Sequence, residues 1–222
     1  MENTTRDDIL FRLKCAPRTV LEERPERPVM AEEAMDTEQL IDRFRGLFEA
    51  QTGVFLRAVG NDGVLEKLGP VLEAEGVVHA VATTDDVLAE LDLPAWGGKA
   101  GFDITTHKDY ANREAFKRAV FEDVQAGITG ADFAFAESGT LCLLINDDMP
   151  RLTSLAPIVH VAILPVERLV PTYEHMARKM FAKGAPPTQV VFITGPSMTA
   201  DIQATPFKGM HGPRRVVVVL KE

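Results

Sequence analysis

Cysteine is almost missing from this chain. Its 222 residues hold only two, Cys15 near the N-terminus and Cys142 inside an apolar run. Two such thiols make neither a disulfide framework nor a four-cysteine iron–sulfur or zinc site. Basic residues are also in deficit: 24 Lys and Arg stand against 33 Asp and Glu, giving a formal charge of −9 and an isoelectric point near 5.1. Nucleic acids and anionic membranes are bound through Lys/Arg-rich surfaces, so neither is expected as the main partner. No uncharged run approaches the roughly 20 residues needed to span a bilayer, and the opening MENTTRDD has no signal-peptide pattern. The expectation is a cytoplasmic location without membrane insertion. Paired-histidine metal spacing is absent, which leaves no metal site in view. The chain also lacks G-x-x-x-x-G-K-[ST], G-x-G-x-x-G and G-x-S-x-G, which disfavours P-loop NTPases, the usual nicotinamide dehydrogenases and α/β-hydrolases.

What is present is enough apolar matter for a core, 45% of the residues. Thr5 and Asp8 frame a short N-terminal helix with Ile9, Leu10 and Leu13 on one face. Residues 16–35 carry three prolines and many charges, so 1–35 reads as a helix with a mobile linker and 36–222 as the main domain. In that domain a helix begins near Asp36 with Leu40, Ile41, Phe44, Leu47 and Phe48 on one stripe. Strands are expected at Val54–Val59 and Val77–Ala82, with a helix at Leu65–Ala74 between them and another after Thr84-Asp85-Asp86. Segment 93–109 reads as a loop around a short strand, and Arg113–Gln125 as a helix ended by Gly127, with Phe116, Val120, Phe121 and Val124 on one side. Strands at Ala131–Glu137, Leu141–Asn146 and Ile158–Leu164 and a helix at Val166–Ala182 follow. The alternation predicts a three-layer α/β/α domain with a largely parallel sheet.

The closing stretch, Val190–Leu220, places two apolar strands around two sharp turns. In the first, Gly195 and Pro196 set the turn and Ser197 or Thr199 caps a following short helix, whose free N–H groups suit a carboxylate or phosphate. Asp201 complements that helix, accepts from a hydroxyl or orients a neighbouring side chain. In the second, Gly209 and Gly212 flank His211 just ahead of a strand, with Lys208, Arg214 and Arg215 nearby to attract an anion. Glu137-Ser138-Gly139-Thr140 joins two strands, where Glu137 is a turn acid or, in an enclosed cleft, a nucleophile or base. His160 reads as a hydrogen-bonded interior residue. The catalytic candidates are therefore Glu137, Asp201 and His211.

The ordered set GITGADFAFAESGTL at 127–141, RLTSLAP at 151–157 followed by His160, TGPSMTADI at 194–202 and KGMHGP at 208–213 resembles the LUD-domain family, in its lactate-utilization protein C (LutC/YkgG) type. The resemblance implies a fold similar to the NagB/RpiA/CoA-transferase group and a part in oxidising L-lactate to pyruvate. It also implies two partner proteins that carry iron–sulfur clusters, with no cofactor bound by this chain alone. The implied site is a small anionic ligand held by Ser138, Gly139, Thr140, Gly195, Pro196, Ser197, Thr199, Asp201, Gly209, His211 and Gly212. Met198 stands where an Arg is frequent in the family. On the same fold, an acyl-CoA transferase-like enzyme with Glu137 as nucleophile, a sugar-phosphate isomerase-like enzyme and a non-catalytic assembly or regulatory module are the alternatives.

Overall fold

The computed structural model describes residues 4–16, 34–182, 187–200 and 206–222. They belong to two compact units, Met1–Ala34 and Met35–Glu222. The first holds helix α1 (Thr4–Cys15), on which Ile9, Leu10, Phe11 and Leu13 are exposed. The expected linker lies almost wholly outside the described residues.

The second unit is organised by a six-stranded, all-parallel sheet. Helix α2 (Thr37–Ala50) leads into β1 (Val54–Ala58), α3 (Gly60–Ala74) into β2 (His79–Ala82), and α4 (Asp86–Ala89) with α5 (Leu93–Ala100) into β3 (Asp103–Thr106). After α6 (Arg113–Glu122) and β4 (Ala126–Gly130), the chain leaves the sheet as the hairpin β5 (Phe133–Phe135) and β6 (Thr140–Ile145). It returns through the single turn α7 (Leu152–Leu155) as β7 (Val159–Pro165). A second excursion runs through β8 (Leu169–Val170), α8 (Tyr173–Phe181), β9 (Gln189–Ile193), β10 (Met198–Ala200) and β11 (Pro206–Lys208), and ends in β12 (Arg215–Lys221). The main order is β1-β12-β7-β4-β2-β3; a smaller mixed sheet has the order β8-β5-β6-β9, and β10 pairs with β11.

The central strands explain their own position. All of β7 and the middle of β12 are buried, as expected of parallel strands covered on both faces. On one face Val161, Ile163, Val217 and Val219 pack against Val64, Leu68 and Leu72 of α3. On the other, Ala162, Leu164, Val216 and Val218 meet Ile41, Phe44 and Phe48 of α2 and the small sheet's Leu141, Leu143 and Ile193. Each of Phe44 and Phe48 is fully buried, which contributes roughly 2–3 kcal/mol of hydrophobic stabilisation. The expected class is thus observed: a mostly parallel sheet flanked by helices. Part of one flanking layer is a second sheet, which the expected three-layer scheme did not contain.

Several elements differ from expectation. Gly127 does not end a helix; it lies in β4, at the centre of the sheet, and α6 stops at Glu122. Ala126-Gly127-Ile128-Thr129-Gly130 lacks the run of branched residues that marks a buried strand, because α7 crosses it too closely: a Cβ on Gly127 would sit 1.7 Å from the Thr153 carbonyl oxygen. Segment 93–109 contains a helix, α5, with Pro94 in its first turn, the position proline tolerates, and Trp96 stacks on Phe102 with centroids 5.8 Å apart. The expected helix at 166–182 is broken by Pro171, so Leu169 lies in β8 and α8 starts only after Thr172, which caps it. Leu47, expected on the buried stripe of α2, is exposed. The two closing strands form where expected but in different sheets. The Gly195 turn leads into β10 rather than a helix, so Ser197 and Thr199 are not helix caps.

Candidate functional site

Strands β7 and β12 run parallel in the register Val159↔Arg215, so the loops that precede them meet at one edge of the sheet. The N–H groups of Arg214 and Arg215 donate to the Ile158 carbonyl at 2.8 and 3.1 Å. Five residues earlier, Gly209 takes φ +79°, a conformation that glycine reaches without a Cβ penalty. Its N–H donates to the Ser197 carbonyl at 2.8 Å, and the Ser197 N–H donates to the Pro213 carbonyl at 2.8 Å. The two turns read separately from the sequence are therefore one structure. Gly212 nests against Ser197, where a Cβ would stand 3.3 Å from the serine Cβ.

The other motif residues continue this chain of contacts. Thr140 Oγ1 lies 3.0 Å from Thr194 Oγ1 and 2.8 Å from Ser138 Oγ. Gly139, at φ +64°, backs onto the end of α2, where a Cβ would come within 2.6 Å of the Phe48 nitrogen; a Cβ on Gly195 would stand 2.9 Å from Gln51 Cβ. Pro196 is buried and Thr199 half-buried, opposite Phe207 in the β10–β11 pair. Ser138, Gly139, Thr140, Gly195 and Pro196 thus hold the turns to the body of the domain. Glu137 is set apart: its Oε1 accepts from the Tyr173 N–H at 2.6 Å, at the first turn of α8, where a carboxylate complements the helix dipole. Asp201 lies outside the described residues.

Of the catalytic candidates among the described residues, His211 is the one that faces a cleft. It lines a cleft of about 540 Å³ between Phe121, Leu152, Leu155, Ala156 and Ile158 on one side and Lys208, Gly209, Met210, Gly212 and Arg214 on the other. Lys208, His211 and Arg214 are exposed, and none of their side chains has a hydrogen-bond or ion-pair partner among the described residues. Among the described residues no Asp or Glu lines the cleft. Arg215, expected to join this group, instead pairs with Glu75 at 3.1 Å. The cations Lys208 and Arg214, beside an apolar wall and without a neighbouring carboxylate among the described residues, form an anion-binding arrangement. Glu137 is not part of the lining, so the geometry gives a nucleophilic role for it no support.

His160 is the interior residue expected. It is fully buried with Nε2 2.9 Å from Thr129 Oγ1, and burial lowers its pKa to about 4, so the ring is neutral at pH 7. At the carboxyl ends of β2 and β4, the usual place for ligands in such folds, a second crevice is lined by Asp85, Asp86, Asp132, Asn146, Asp147 and Asp148. Asp85 is occupied by the fold: it accepts from the Thr83 hydroxyl and from the N–H groups of Val87 and Gly130. Burial raises Asp132 to about 6, despite the Leu144 N–H that donates to it at 2.7 Å. Among the described residues no three His, Cys, Asp or Glu side chains are grouped to hold a metal ion.

The apolar wall of the cleft escaped sequence reading. Phe121 was expected on the buried side of α6, yet Phe116 and Val120 are buried while Phe121 is 63% exposed. Its position one residue past Val120, about 100° around the helix, was the available signal. Ile158 is likewise 54% exposed just before β7.

A parallel α/β domain with an appended mixed sheet and an acid-free cationic cleft at the amino edge is the class that fold and site define. Residues 41–220 match the LUD domain, and the chain belongs to the LUD-domain family. It is 30% identical over 165 residues to lactate utilization protein C of Halalkalibacterium halodurans, covering 72% of this chain and 70% of that protein. Against lactate utilization protein C of Macrococcus caseolyticus the identity is 32% over 167 residues, covering 72% and 68%. A crystal structure of a DUF162 family protein from Deinococcus radiodurans shares the fold, with a TM-score of 0.59, 18% identity, and coverage of 85% of this chain and 100% of that one. No helix among the described residues is long and apolar enough to cross a membrane.

Proposed function

We propose that this chain is a subunit of a cytoplasmic, iron–sulfur-dependent system that oxidises L-lactate to pyruvate, and that it holds an anionic ligand in the cleft between α7 and the Lys208–Arg214 loop. The observation that carries the reading is family membership across residues 41–220 together with two relatives bearing the name lactate utilization protein C. Lys208 and Arg214, whose side chains have no partner among the described residues, support the ligand's charge. Removing two electrons and two protons from lactate requires an electron acceptor. With Cys15 on an exposed helix and Cys142 buried in β6, this chain offers no four-thiolate set for a cluster. In this reading the clusters are carried by two partner proteins, as the family resemblance implies. The test is reconstitution: the purified chain alone should not oxidise lactate and should do so once both partners are added. A reconstituted mixture that oxidises lactate equally well without this chain would refute the assignment.

A further inference from the structure

The lining of the cleft says more about its ligand than the sign of its charge. One wall is apolar and outward-facing: Phe121 and Ile158 are 63% and 54% exposed, and Met210 opposite them is 65% exposed. Large apolar side chains grouped at the mouth of one cleft mark a binding surface, whereas single ones are ordinary. The facing loop carries three bases, Lys208, His211 and Arg214, whose side chains have no partner among the described residues. The volume, about 540 Å³, is in the range of roughly 300–1,000 Å³ that holds cofactor-sized ligands and far exceeds a three-carbon acid.

We propose that the cleft takes an amphipathic organic anion, in which a carboxylate or phosphate is carried on an aromatic or acyl body, rather than free L-lactate. This deepens the anion-site reading above and rests on it. The apolar body lies along Phe121, Leu152 and Ile158, and the anionic group meets Lys208 and Arg214. The loop is already held in place by the backbone bonds from Arg214 to Ile158 and between Ser197 and both Gly209 and Pro213. Little ordering therefore opposes binding.

Anilinonaphthalene sulfonate, an aromatic anion, serves as the probe in a fluorescence titration of the full chain. Saturable binding is expected. The pair Lys208→Gln/Arg214→Gln and the pair Phe121→Ser/Ile158→Ser should each weaken it by about tenfold or more. Thermal unfolding of both variants should stay close to the parent's, since all four side chains are exposed. L-lactate at millimolar concentration should not displace the probe. Displacement by L-lactate would overturn the ligand class while leaving the anion site intact. Probe affinity that neither pair changes would overturn the site itself. Lactate oxidation in the reconstituted system is scored separately, so a failure of that role is not confused with either outcome.

Discussion

Replacing His160 by glutamine should change how the protein's stability responds to acid, and the size of the change follows from burial. A histidine in the unfolded chain has the ordinary pKa of 6.5; in the folded chain that of His160 is lowered to about 4. Below pH 6.5 the unfolded chain therefore takes up a proton that the folded chain refuses, and stability falls by about 1.4 kcal/mol per pH unit. The loss continues to about pH 4 and totals roughly 3 kcal/mol. Above pH 6.5 the ring is neutral in both states and contributes no slope. Glutamine keeps an amide within reach of Thr129 but does not titrate.

Asp132 acts with the opposite sign in an overlapping window. Its folded value is raised to about 6 from 3.8, so between those values the folded chain holds a proton that the unfolded chain has lost. Stability from this group rises as pH falls through 6 and is lost as pH rises, with a smaller total than for His160 because its shift is smaller and solvent reaches Asp132 in part. The parent should consequently show a shallow acid limb between pH 6 and 4, to which these two groups contribute in opposition. His160→Gln should gain stability relative to the parent as the solution is acidified, and Asp132→Asn should lose it. Urea unfolding at a series of pH values measures these differences, and the exposed carboxylates common to all three proteins cancel in the comparison. Parallel stability curves for the parent and His160→Gln from neutral pH to pH 4 would refute the argument, whatever the absolute cost of the substitution.

Gly127→Ala should destabilise the domain by about 3 kcal/mol, because the new Cβ must displace the α7 backbone at Thr153 rather than a flexible side chain; the denaturant midpoint reports it. Asp85→Ala should cost about 3 kcal/mol in the same assay, since it strands the N–H groups of Val87 and Gly130 and the Thr83 hydroxyl together. Phe44→Ala removes a fully buried ring stacked on Phe48 with centroids 5.6 Å apart, and about 4 kcal/mol should be lost in chemical unfolding.

The fold class was legible because it rests on apolar periodicity. The run Val216–Leu220 and the stripe Ile41, Phe44, Phe48 reveal a buried strand and an amphipathic helix without any knowledge of their partners. β4 was illegible for the opposite reason: Gly127 and Gly130 are dictated by what crosses the strand, Thr153 on one and Asp85 on the other, and a contact that distant in sequence leaves no local period. The same holds for the cleft. Ser197, Gly209, His211 and Gly212 could be singled out as turn residues, and the structure does join them. Phe121 and Ile158 reach that site from α6 and the start of β7, and as ordinary apolar residues they carried no mark of it.

The placement of that cleft bears on how a negatively charged chain could bind an anion at all. With a formal charge of −9, most of the surface repels such a ligand, and the crevice past β2 and β4, with its five aspartates, repels it most. The Gly195 and Gly209 turns are pinned to the opposite edge of the sheet, beside the amino ends of β7 and β12, where no carboxylate among the described residues lines the cleft. At physiological salt, charges are screened beyond roughly 8 Å, so the distant aspartates matter little once the ligand is seated and Lys208, His211 and Arg214 dominate locally. At low salt the screening length grows, and the repulsion from the rest of the surface extends over the approach path. The motif's backbone stitching therefore has an electrostatic consequence: it fixes Lys208, His211 and Arg214 on the edge of the sheet opposite the acidic crevice.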